Sequence, residues 1–145
     1  MKNIRKVSFV VLLLVFTLFL NSYAKAANSV EAESMVYAMQ PHWENTSSVT
    51  AGLSFSGTTA NCSAIVVGLS GTTRIVATIR LERLEDGILR PVRTWSNQSA
   101  NASTLTFSNT HTVTRGFTYR LTVEADVTRN GVTERATSWV ERTLS

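Results

Sequence analysis

The sequence predicts an all-β fold: one antiparallel seven-stranded sandwich behind an N-terminal secretory segment. Three observations carry this. Beyond residue 46, apolar residues alternate with polar ones at a period of two, the spacing that buries one face of a strand. The same region is rich in Thr, Ser and Val, and β-branched residues suit a half-buried pleated surface better than a helix. Turn-forming groups (Ser-Gly-Thr-Thr at 56–59 and 70–73, Asp86-Gly87, Asn130-Gly131) separate short segments, as in sandwiches.

Residues 1–26 read as a signal peptide. Lys2, Arg5 and Lys6 give a basic start, residues 7–20 are uncharged and apolar, and Ala24-Lys25-Ala26 is a small-x-small cleavage pattern. The apolar core is about fourteen residues, short of the ~20 a membrane-spanning helix needs. The expectation is cleavage after Ala26 and release, with no stable membrane anchor. Residues 27–46 read as an irregular leader closed by Pro41-His42-Trp43, and residues 47–145 as the sandwich domain.

Removing the signal changes the charge argument. The whole chain carries +4. All its lysines and Arg5 lie within the first 26 residues; the rest has ten arginines against ten acids and is formally neutral. Phosphate binding needs a basic face. None is visible, so nucleic acid is not an expected partner.

Seven strands follow in order. Residues 48–56 alternate through Val49, Ala51, Leu53 and Phe55. Residues 61–69 are apolar on both parities, as in a central or doubly covered strand. Residues 73–85 carry Ile75, Ala77, Ile79 and Leu81 on one side. Residues 89–96 contain Pro91, which cannot donate to a ladder and so marks a sheet edge. A polar loop at 97–103 leads to a short strand at 104–108. Residues 117–128 alternate most clearly, with Tyr119, Leu121, Val123, Ala125 and Val127 inward. Residues 132–142 complete the set.

Turn chemistry fixes the last hairpin. A two-residue Asn130-Gly131 turn opposes positions that sum to 261. Asp126 then faces Arg135 and Arg120 faces Glu141, each pair worth roughly 0.2–1 kcal/mol. Leu121 meets Val140 and Ala125 meets Ala136 on the inward side. At Asp86-Gly87 a two-residue turn would oppose Arg80 to Arg93 and Arg83 to Arg90. A four-residue loop, 86–89, is therefore expected, opposing Glu82 to Arg93 and Glu85 to Arg90.

Cys62 is the single cysteine, so no intrachain disulfide forms. It lies in an apolar run with Ala64 and Val66 and is expected in the core.

The segment Val113-Thr114-Arg115-Gly116-Phe117-Thr118-Tyr119-Arg120-Leu121 resembles the entry to strand F of fibronectin type III and related immunoglobulin-like domains. The resemblance implies that Tyr119 is a tyrosine corner, its hydroxyl bonded to upstream backbone. The tryptophan usual on strand B of that family is absent. A wider resemblance rests on Trp43-x-Asn45, Phe55-Ser56-Gly57-Thr58-Thr59-Ala60-x-Cys62-Ser63, Gly71-Thr72-Thr73-x-Ile75, Thr94-Trp95-Ser96 and Gly116-x-Thr118-Tyr119-Arg120-Leu121. These look like a group of small secreted proteins of Gram-positive bacteria, a domain of unknown function. It implies a secreted bacterial protein and carries over no catalytic residue.

The search for chemistry yields little. His42 and His111 have no metal-ligand spacing, and no Ser sits in a nucleophile turn. No cofactor, metal or catalytic residue is expected. Four Asn-x-Ser triplets begin at Asn45, Asn61, Asn97 and Asn101; in a bacterial protein they imply no glycan.

The aromatics are the better lead. The 261 register places Trp139 outward, opposite Thr122 and diagonal to Arg120. Trp139, Arg120 and Thr122 form the candidate binding surface, with Trp95 and Trp43 as possible additions. The bland alternative is that Arg120 covers the Trp139 ring. The expected function is a non-enzymatic secreted module, monomeric, that binds an extracellular protein or glycan. A carbohydrate- or cell-wall-binding module and an antimicrobial or toxin-like factor are the alternatives. Two or more coplanar exposed tryptophans would favour carbohydrate.

Overall fold

The computed structural model describes residues 42–145. The signal segment, its Ala24 and Ala26, and most of the leader lie outside the described residues. The described chain is all β: β1 (Thr46–Ser56), β2 (Thr59–Gly68), β3 (Thr72–Glu85), β4 (Ile88–Ala100), β5 (Thr104–Thr112), β6 (Phe117–Arg129) and β7 (Val132–Leu144). They form two antiparallel sheets, ordered β1-β2-β5 and β4-β3-β6-β7.

The period-two residues build the core. Val49, Leu53, Cys62, Val66, Ile75, Ile79, Leu81, Tyr119, Leu121, Val123 and Val127 are all buried between the sheets. β2 is central in its sheet but covered on one side only. Ala60, Cys62, Ala64 and Val66 face the core, while Ile65 is exposed. Cys62 is 1% exposed and its thiol is free. Burial pushes its pKa up to about 11, because the low-dielectric interior disfavours the thiolate.

The last hairpin has the register that the turn demands. Asp126 pairs with Arg135, Arg120 with Glu141, Leu121 with Val140, Ala125 with Ala136 and Thr122 with Trp139. Asn130 (φ 50°) and Gly131 (φ 80°) both take the left-handed conformation that a two-residue hairpin turn requires.

The β3–β4 hairpin differs from expectation. Glu85 pairs with Ile88 and Arg83 with Arg90, so the loop is two residues, not four. Two features relieve the like-charge contacts that a two-residue turn would bring, one at each pair. Glu85 forms ion pairs with both Arg83 and Arg90. A bulge after Leu81 then shifts the register, so Arg80 meets Thr94 rather than Arg93.

β4 and β5 are also longer than expected. β4 runs on to Ala100, with Val76 opposite Ser99 and Ala77 opposite Gln98. A second irregularity lets Ser96 and Asn97 bulge opposite Thr78, with Asn97 at φ 56°. β4 is an edge strand, as Pro91 predicts. An edge strand is solvated on most sides, so its polar composition resembles that of a loop.

Candidate functional site

β3, β6 and β7 are consecutive in the four-stranded sheet, and their outward residues align in rows. Glu82, Arg120 and Glu141 form one row; Arg80, Thr122 and Trp139 form the next; Thr78, Glu124 and Thr137 follow. Period-two alternation sends Leu121 and Val123 into the core and so leaves Arg120, Thr122 and Glu124 on the surface.

The three candidate residues come together here. The Arg120 guanidinium lies over the Trp139 ring, 4.3 Å from its centroid. Its Nε donates to Glu141 Oε1 at 2.8 Å, and a second nitrogen lies 2.6 Å from the same oxygen. Thr122 stands between Arg80 and Trp139 in its row and is only 8% exposed, and its hydroxyl donates to Glu82 Oε2 at 3.0 Å. Trp139 is half-buried. The bland alternative therefore holds for part of the ring: Arg120 does cover it. The unit that results is an indole–guanidinium stack flanked by two carboxylates. It offers an aromatic edge, guanidinium donors and carboxylate acceptors within one rigid patch.

The neighbouring rows are also zipped by charge. Arg80 donates two hydrogen bonds to Glu124, at 2.9 and 2.8 Å. Arg135 does the same to Asp126, at 2.8 and 3.0 Å. The hydrogen bond from Arg80 holds the Glu124 carboxyl below its usual pKa, and that from Arg135 does so for Asp126.

Neither remaining tryptophan joins the patch. Trp95 is 8% exposed and packs on Phe107 in the core, with ring centroids 5.3 Å apart. Its polar sequence neighbours disguise an inward position, opposite Ile79. Trp43 packs partly buried against the core.

Tyr119 is buried, and its hydroxyl donates to Thr114 O at 2.8 Å and accepts from Thr114 N at 3.0 Å. This ties the turn before β6 to the start of that strand.

Sequence reading missed one constellation. The Glu134 carboxylate accepts hydrogen bonds from the backbone N–H groups of Glu44, Asn45 and Thr46, at 2.6, 2.9 and 3.1 Å, and from Thr46 Oγ1 at 3.1 Å. Asn45 is itself buried, and its side-chain amide donates to the carbonyls of Val127 and Val132. The signal was present: Glu134 shares its parity with Ala136 and Val140, an acid where an apolar residue is expected.

A depression of about 350 Å³ lies over Gly52, between Thr50, Ser54, Asn61, Ser63 and Arg142. A side chain at Gly52 would collide with the Ser63 hydroxyl. Among the described residues, no group of His, Cys, Asp and Glu is placed to hold a metal ion.

No protein-family model, curated protein or solved structure matches the chain.

Proposed function

We propose that this chain is a secreted, non-enzymatic binding module that engages an extracellular protein through the outer face of its four-stranded sheet, centred on Trp139. Export rests on the layout of residues 1–26. The sandwich is of the fibronectin type III-like, immunoglobulin-related kind. The sheet orders β1-β2-β5 and β4-β3-β6-β7 support that assignment, as do the two hydrogen bonds of Tyr119.

The observation that carries the functional reading is the Arg120–Trp139 stack on an outward face. Trp and Arg are the residues on which protein partners most often concentrate their affinity. Here both are fixed by a sheet and by Glu141, so little side-chain entropy remains to be lost on binding. The alternative of a glycan ligand has one ring to rely on rather than two, because Trp95 is in the core.

The test is a binding screen against a panel of extracellular matrix proteins and cell-wall glycans, run with wild type and Trp139→Ala. Loss of about ten-fold or more in affinity for a protein on the panel, with the variant still folded, is the expected result. Equal binding by both proteins would remove this face from consideration. Binding confined to glycans would replace the first reading with the second.

A further inference from the structure

Among the described residues four strands end a sheet, and three of them are protected. β4 carries Pro91, Arg90, Arg93 and two register irregularities. β7 carries Glu134, Arg135, Glu141 and Arg142. β1 begins with an irregularity and packs along β7. These are the devices by which sheets resist edge-to-edge pairing. β5 has none of them. It contains no proline and no Asp, Glu, Lys or Arg, and its register with β2 is unbroken from Thr112 to Thr104.

The hydrogen-bonding direction of β5 follows from its two ends. Gly68 N donates to Ser103 O, and Val113 N donates to Thr58 O, each at 2.8 Å. In an antiparallel ladder, bonded pairs alternate with unbonded ones. Leu105, Phe107, Asn109 and His111 therefore spend their backbone groups on β2. Thr104, Thr106, Ser108, Thr110 and Thr112 aim theirs at the open edge, and all five side chains are solvent-exposed; the Thr110 N–H is held in the single chain by Asn109 Oδ1 at 2.9 Å, a local bond that exchanges for the inter-strand one on pairing.

We propose that β5 pairs with β5 of a second copy of this chain, antiparallel about a two-fold axis at Ser108, to make one continuous six-stranded sheet. The occupant follows from self-complementarity. That register opposes Thr104 to Thr112, Thr106 to Thr110 and Ser108 to its own counterpart. Each is a bonded pair whose exposed hydroxyls meet across the strands, and Thr–Thr pairs of this kind are favourable. No charge meets a like charge. The contact is isologous, so it closes at two copies and does not propagate. One strand edge buries little area, so the dimer is reversible and concentration-dependent. It leaves Trp139, on the other sheet, free, and stands or falls independently of the protein-binding role.

The test uses sedimentation velocity across a concentration series, with cysteine cross-linking to read the register. Wild type should shift from monomer to dimer. Ser108→Pro should weaken the dimer at least ten-fold and still fold, because the lost N–H faces the edge and not β2. Under oxidising conditions Ser108→Cys should give a covalent dimer, since bonded pairs hold their Cα atoms ~5.5 Å apart, within disulfide reach. Thr104→Cys should not, because its counterpart lies ~27 Å away along the strand at the usual rise per residue. A wild type that stays monomeric to millimolar concentration overturns the proposal. So does cross-linking of Thr104→Cys as readily as Ser108→Cys.

Discussion

Glu134 N-terminally anchors the domain: its carboxylate accepts the backbone N–H of Asn45 at 2.9 Å across 89 positions of sequence. Three further hydrogen bonds from Glu44 and Thr46 converge on the same group. Hydrogen bonds to a charged group are worth more than neutral ones. Glu134→Ala should destabilise the fold by about 2 kcal/mol, measured by urea unfolding with an unchanged slope. Glu134→Gln should recover part of the loss.

The same contact has a pH dependence of defined sign. Burial alone would raise the Glu134 pKa; the hydrogen bonds outweigh it and hold it below the ordinary 4.5. A carboxyl whose folded pKa is depressed adds stability above its unfolded pKa and loses it as pH falls through the folded one. The stability gap between wild type and Glu134→Ala should therefore be full at pH 7 and shrink below about pH 4.5. A gap that holds constant down to pH 2.5 would contradict this account of the clamp.

Tyr119→Phe removes one hydroxyl and strands both Thr114 N–H and Thr114 C=O. Thr114 is exposed, so water replaces part of what is lost. The expected cost is about 1 kcal/mol, read as a lower urea midpoint. No change in midpoint would mean that the corner contributes nothing to stability.

Cys62 should be inert while the domain is folded. With the thiol pKa at about 11 and the side chain 1% exposed, little thiolate is present at pH 8 and access is closed. A thiol reagent should label the protein only in denaturant. Rapid labelling of the native protein would show that the core opens there.

The hairpin β6–β7 was legible because two independent signals coincide. The Asn130-Gly131 turn fixes the register, and Asp126–Arg135 and Arg120–Glu141 agree with it. At Asp86-Gly87 the charge signal misleads, because a bulge after Leu81 separates Arg80 from Arg93 at no cost in loop length. Bulges are invisible to a reading that assumes one register per hairpin. Trp95 and the 97–100 segment were misread for a related reason. Edge strands lack the clean alternation that a buried face imposes. The shared outward parity of Trp139, Thr122 and Arg120 was legible from the turn, but the burial of Thr122 among its neighbours was not, because parity says nothing of what long side chains cover. The Glu134 clamp was not assigned, because no local pattern links residue 134 to residues 44–46.

The two sheets wear unlike exteriors. Arg80, Glu124, Asp126, Arg135, Arg120 and Glu141 interlock on one. On the other, the rows run Thr50–Ile65–Thr106 and Gly52–Ser63–Ser108 without a charge. Mobile ions screen fields beyond ~8 Å at physiological salinity, so added salt shortens the reach of the first coat and has little to act on over the second. The molecule is two-sided in this sense: long-range attraction to a charged body can come from one exterior and not from the other.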